Sequence, residues 1–226
     1  TALLVRRPTP QMNSDYSPLT QLEQDTLAHI HDNDGYGAAM TASIVDRCQT
    51  GDAMEYGFGE TNSGPTSQML QHQIAEHRAS SNTLGTFVDL GSGRGNIVFM
   101  VSASGVFSEA VVGVECVRAL HDIGLELQRK CVAHPESGTT ELLCGNFFEV
   151  DFPNADVIFI TLTLFKGAVL SSITPLLKQK LNQDGLVVCV GGKLEQNIDN
   201  VFLKLVERTQ VEGSWGDDEV HVYKRC

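Results

Sequence analysis

The chain has 226 residues, 42% of them hydrophobic, which is enough for one substantial globular domain with an attached segment. Its formal charge of −12 argues against an independent grip on nucleic acid, whose phosphates call for clustered Lys and Arg, and suits a soluble surface or a basic protein partner. No apolar run approaches the length of a membrane span, and the amino terminus lacks a signal-peptide pattern, so no membrane partner is expected.

Along the chain, Thr1 to Tyr16 carries prolines and polar residues without periodicity and reads as an extended arm. From Pro18 to His31, Leu19, Leu22, Leu27 and Ile30 fit an amphipathic helix; a second spans Ala38 to Gln49, with Gly35 and Gly37 between the two. Glu55 to Pro65 is a loop rich in glycine and polar residues, a candidate lid, followed by a helix from Thr66 to His77. Strands and helices then alternate. Strands are expected at Thr86 to Leu90, Val111 to Glu115, Glu141 to Cys144, Asp156 to Thr161, Gly185 to Val190, part of Phe202 to Glu212, and Glu219 to Lys224. Helices are expected at Gly95 to Ser104, Val117 to Cys131, Gly167 to Leu181 and Leu194 to Asn200. This order predicts an α/β fold with a mainly parallel sheet covered by helices on both faces. Only Gly213 to Asp218 separate the last two strands, a connection that suits an antiparallel pair.

The six cysteines, at 48, 116, 131, 144, 189 and 226, form no C-x-x-C pair and read as reduced core residues of an intracellular protein. The histidines show no metal-ligand spacing, so no metal is expected.

Three glycines on alternate positions, Gly91, Gly93 and Gly95, follow the first strand directly, with Asp89 at its end. Such a turn lets backbone amides approach a ligand, and the next helix opens with unpaired N–H groups. The next strand ends about twenty residues later at Glu115, where a ribose-binding carboxylate is expected in this architecture. The spacing D-L-G-S-G-R-G differs from the dinucleotide fingerprint G-x-G-x-x-G and resembles the first motif of class I S-adenosylmethionine-dependent methyltransferases. The resemblance implies a Rossmann-like sheet of seven strands with an antiparallel last strand, and S-adenosylmethionine as cofactor. It also places an acidic or amide side chain and an aromatic at the adenine after the third strand, here Asn146 and Phe147 in Cys144-Gly-Asn-Phe-Phe148. The end of the fourth strand, Ile158 to Phe165, would face the methyl acceptor, and it lacks the D-P-P-Y or N-P-P-F pattern of DNA-amine methyltransferases.

Within that class, G-E-T at Gly59 to Thr61, D-L-G-S-G-R-G-N at Asp89 to Asn96, G-V-E at Gly113 to Glu115, G-N-F at Gly145 to Phe147 and V-I-F-I at Val157 to Ile160 resemble the disruptor-of-telomeric-silencing family. These are the non-SET histone-lysine methyltransferases, and the similarity spans roughly Glu55 to Val190. It implies a nuclear, chromatin-modifying enzyme with a histone or nucleosome as partner, an arm and helical lobe over 1–54 and a catalytic domain over 55–226. By position, Glu60 and Thr61 would close over the methionine end of the cofactor. Asp89, Gly91, Ser92, Gly93, Gly95 and Asn96 would line its amino-acid part, Glu115 its ribose, Asn146 and Phe147 its adenine. Thr161 would lie by the methyl-transfer channel, with Phe165, Phe58 and Trp215 as walls. Two departures stand out: Thr161-Leu162-Thr163 replaces the family's N-N-F, removing an amide beside the sulfonium, and no Lys/Arg-rich tail follows Cys226. They leave open another protein or a small molecule as acceptor, or a non-catalytic module that binds the cofactor.

Overall fold

The computed structural model describes residues 17–32, 61–77, 84–163, 165, 168–194, 202–213 and 216–226. The expected arm, the helices at Ala38 to Gln49 and Leu194 to Asn200, and Phe58, Glu60 and Trp215 lie outside the described residues.

Helix α1 (Gln21–Asp32) starts where Thr20 and Glu23 form a capping box. The Thr20 hydroxyl accepts from the Glu23 N–H at 3.3 Å and a Glu23 carboxylate oxygen accepts from the Thr20 N–H at 2.8 Å, so two otherwise orphaned donors are satisfied. α2 (Ser63–His77) begins three residues before the expected Thr66 and is tied to α1 by Gln71, which donates to Glu23. After it come β1 (Leu84–Leu90), α3 (Asn96–Ser104), β2 (Phe107–Glu115), α4 (Arg118–Gln128), β3 (Thr139–Cys144), β4 (Ala155–Thr161), α5 (Ala168–Lys180), β5 (Leu181–Val190), β6 (Leu203–Gly213) and β7 (Gly216–Arg225).

The seven strands form one sheet in the order β3-β2-β1-β4-β5-β7-β6. The pairs among the first five positions are parallel, and β7 runs antiparallel to both β5 and β6, as the short connection between the last two strands predicts. The main difference from expectation is at β5, which starts at Leu181 instead of Gly185. Ala155 faces Leu181 but Val157 faces Leu186, so the strand bulges through Asp184, whose φ is 59°. The regular part of the strand is the apolar run the sequence marks.

Side chains alternate between two cores. Phe87, Val111, Phe159, Val188, Val190, Val220 and Val222 pack with Ile30 of α1, Met69 and Leu70 of α2 and the apolar face of α3. On the other face Val88, Leu90, Val112, Ile158, Ile160 and Val187 pack with Ile173 and Leu177 of α5. Thus α1, inside the 1–54 segment, shares its core with the sheet. At the amino ends of the strands, Asp156 accepts from the N–H groups of Gly85 (2.7 Å) and Thr86 (3.1 Å), and its other oxygen accepts from Asn182 Nδ2 (3.2 Å). That end is fastened. The opposite, carboxyl end, where the connections leave β1 in one direction and β4 in the other, is where open α/β sheets bind ligands.

Candidate functional site

At the carboxyl edge β1 runs into the glycine turn. Gly91, Gly93 and Gly95 take φ values of 84°, 56° and 80°, a left-handed region costly for residues with a Cβ. The N–H groups of Gly91 and Ser92 donate to the Val114 carbonyl at 2.9 and 3.1 Å, folding the turn over the end of β2. Gly95 serves as the cap of α3 with no side-chain bond, and a Cβ on it would lie 3.0 Å from the Phe99 ring. The glycines thus serve both turn geometry and close packing.

Glu115 closes the loop from below. One carboxylate oxygen accepts from the Gly93 N–H at 2.8 Å, the other from the Val117 N–H at 2.7 Å. Two charge-assisted bonds fix the group at the rim, and a carboxylate retains further acceptor sites for ribose hydroxyls. Burial nonetheless pushes the Glu115 carboxyl above its usual range, opposed by those backbone donors. Asp89 lies beneath the turn, only 3% exposed, and accepts no hydrogen bond among the described residues. As the strand expected to end at Leu90 implies, Asp89 is the last residue but one of β1, and it is buried there on the face that carries Phe87. Burial first, and the Glu115 charge second, push the Asp89 carboxyl up to about 8. Asn96, the first residue of α3, is buried with its Oδ1 unpartnered, as is the Oγ of Ser92. These groups form a polar floor in which Ser92 Oγ and Asn96 Oδ1 have no hydrogen-bond partner among the described residues. That pattern fits a ligand carrying an ammonium, a carboxylate and a vicinal diol.

Strand register puts the end of β4 level with this floor. Asp89 is opposite Gly113 on β2 and Phe159 on β4, so Thr161 lies on the same face of the sheet two residues further up. Phe165 leans back across the switch point: its ring is 3.8 Å from where a Cβ on Gly91 would stand, and it meets Phe147 edge-on with centroids 5.8 Å apart. Phe147 is buried and tilted against Phe148 at 4.6 Å. Together, Phe147 and Phe165 form an apolar wall beside the turn. Asn146 is committed locally: its Oδ1 accepts from the Phe148 N–H at 3.0 Å and its Nδ2 donates to Glu149 at 3.2 Å, which is a turn-capping role. Thr61 is buried at the entry to α2.

Sequence reasoning singled out neither Gly191 nor Asp218, and noted Thr163 only as a departure from a motif. Their proximity arises from pairing among β4, β5 and β7, which no local pattern encodes. Among the described residues no group of His, Cys, Asp and Glu could hold a metal ion, and no helix is long and apolar enough to cross a membrane.

No protein-family model matches the chain, and no curated protein matches its sequence. Solved structures do match. A putative RNA methyltransferase from Pyrococcus horikoshii aligns with TM-score 0.55 at 12% identity, over 92% of this chain and 98% of that one. Magnesium protoporphyrin IX methyltransferase from Synechocystis, solved with bound S-adenosylmethionine, aligns with TM-score 0.52 at 12% identity, over 89% and 98%. A putative methylase from Haemophilus influenzae gives 0.53 at 14%, over 71% and 88%. Identities this low speak for architecture alone, and with the strand order they lead to one statement: the chain has the class I methyltransferase fold.

Proposed function

We propose that this chain is an S-adenosylmethionine-dependent methyltransferase acting on a protein or a small molecule. The observation that carries the reading is the Glu115 carboxylate, pinned by the amides of Gly93 and Val117 beside the buried Asp89 at the switch point of the sheet. When bound, the cofactor supplies an electrophilic methyl group on a sulfonium. In this reading Glu115 accepts from the ribose hydroxyls, while Asp89, with Asn96 and the turn amides, takes the amino-acid end. Phe147 and Phe165 exclude water from the adenosyl side. With no residue placed as a strong base, the chain works chiefly by aligning and desolvating the two reactants at the end of β4, where Thr161 stands.

The acceptor is the finer question. The structural neighbours act on RNA and on a porphyrin by their names, and the charge of −12 disfavours RNA here. The histone-lysine reading has the motif series from Gly59 to Ile160 behind it; the structural neighbours add no support for it, which leaves another protein or a small molecule as the better-supported acceptor. Incubation with methyl-labelled S-adenosylmethionine and a panel of nucleosomes, free histones, RNA and small metabolites tests this. Label on a protein or metabolite is expected, with nucleosomal histone establishing the narrower reading. Label on RNA alone would overturn the acceptor class, and cofactor binding without turnover on any acceptor would favour a binding module. Thr161→Ala is expected to change turnover more than cofactor affinity.

A further inference from the structure

The two amides that hold the Glu115 carboxylate both answer to one helix. Val117, whose N–H binds one oxygen, is the cap residue of α4, and the Gly93 N–H that binds the other belongs to the glycine turn. Gly124 lies midway along α4, where glycine disfavours a helix relative to alanine. Its bare face is taken by the turn itself: a Cβ there would stand 2.9 Å from the Arg94 carbonyl oxygen and 3.2 Å from its carbon, and Arg94 directly follows Gly93. The same Cβ would meet Leu142 Cδ1 at 2.9 Å. Leu142, buried on β3 opposite Gly113, fills the space under the turn, since its Cδ2 lies 2.9 Å from a Cβ on Gly113 and 3.1 Å from one on Gly95. Its carbonyl accepts from Nε2 of the buried His121 at 3.2 Å, three residues before Gly124 on the same side of α4.

On the assumption that the chain is the methyltransferase proposed above, we propose that Gly124 and Leu142 are positioning residues for its cofactor. Helix α4, resting on the Arg94 carbonyl and on Leu142, sets where the Gly93 amide meets Glu115. Both residues act through the turn. The argument is steric: a side-chain tip can swing away from a new methyl group, whereas the Arg94 carbonyl moves only with the planar peptide that carries it. Gly93 lies one residue back, and its N–H reaches Glu115 at 2.8 Å, so a displaced Arg94 stretches a bond to a charged acceptor. A shift of about 0.5 Å is enough to spoil such a site. Because Val117 opens the same helix, a displaced α4 moves the second bond as well, and the carboxylate loses its fixed aim towards the ribose. The clamp therefore depends on a helix and a strand that lie outside the sequence motif of the turn.

The test compares two glycines that meet a backbone carbonyl equally closely. At Gly185, near the amino ends of the strands, a Cβ would lie 2.8 Å from the Asn182 oxygen, against 2.9 Å between Gly124 and Arg94. S-adenosylhomocysteine is titrated calorimetrically into wild type, Gly124→Ala and Gly185→Ala, and hydrogen exchange of the Gly93 and Val117 amides is followed by NMR in the empty proteins. Both variants are expected to fold, at a lower melting temperature than wild type. Only Gly124→Ala is expected to bind S-adenosylhomocysteine about tenfold more weakly and to exchange the Gly93 amide about tenfold faster. Leu142→Ala should follow it, and Leu142→Met, which conserves volume, should keep affinity within about threefold of wild type. Unchanged affinity or unchanged exchange in Gly124→Ala, or equal losses in Gly185→Ala, overturns the proposal. If Gly124→Ala does not fold, the two Leu142 variants decide on the same criteria. Failure of wild type to bind S-adenosylhomocysteine is a separate result: it removes the methyltransferase reading, and the exchange rates then decide by themselves whether α4 positions the carboxylate.

Discussion

The two halves of the carboxyl edge are built differently. On the β1 and β2 side, the turn and Glu115 lie 22 residues apart in sequence and are joined by an amide-to-carboxylate bond, Gly93 to Glu115, so one short stretch of chain makes a complete rigid cradle. On the β4, β5 and β7 side, Thr161, Gly191 and Asp218 come from three strands spread over about sixty residues, and only sheet register brings them level. The first half offers backbone donors and one carboxyl fixed by two of them. The second presents side chains around a bare glycine. A cofactor common to many enzymes suits the local cradle, whereas an acceptor that varies between enzymes suits an assembly whose side chains change without disturbing the turn.

The largest expected effect breaks the first half alone. Glu115→Ala removes the acceptor for the ribose hydroxyls and leaves the Gly93 and Val117 donors unmet. Hydrogen bonds to a charged group are worth about 1.5–3 kcal/mol each, so S-adenosylmethionine affinity should fall by about a hundredfold or more in a calorimetric titration. Unchanged affinity would move the ribose elsewhere.

Next comes the pH dependence of the same half. Asp89 sits at about 8 in the empty protein and is therefore mostly protonated at neutral pH; to pair with a cationic ligand it must give that proton up. Affinity should accordingly rise between about pH 6 and 7.5, by at most about tenfold per unit, before the ligand's own amino group begins to lose its charge. Because the folded carboxyl holds its proton more tightly than the unfolded one, the empty protein should lose stability as pH rises from about 4 towards 8. Asp89→Asn should flatten both profiles, and retention of both slopes in that variant would assign them to another group.

A smaller change sharpens the comparison from the other side. Gly191→Ala forces a methyl group towards the Thr163 hydroxyl at a left-handed φ, and should cost about 1–3 kcal/mol in thermal unfolding while leaving cofactor affinity intact. Adding Thr163→Ala should recover part of the loss, whereas strictly additive effects would show that the two residues do not touch. The smallest effect is expected at Asn146→Ala, which loses two local bonds of the turn after β3, about 1 kcal/mol of stability, with affinity nearly unchanged. A large loss of affinity would return its amide to the adenine.

What the sequence disclosed follows the same division. Strand-turn-helix order, the alternation that makes a parallel sheet, the antiparallel final pair and the positions of Asp89, Gly91 to Asn96 and Glu115 were legible because each depends on residues close along the chain. The burial of Asp89 was not, since it depends on where the turn leaves the sheet. Nor was the local commitment of Asn146, because a turn asparagine and an adenine-binding one share the same pattern. Gly191 and Asp218 carried no sequence signal at all: their meeting with Thr163 is set by the order β4-β5-β7.

The central claim is that the fixed carboxyl and the glycine turn hold the adenosyl ligand. It is tested most directly by the crystal structure of the protein grown with S-adenosylhomocysteine. The account predicts ribose hydroxyls on Glu115 and the amino-acid end over Asp89 and Asn96; a ligand seated anywhere else, or a cradle left empty at saturating ligand, would contradict it.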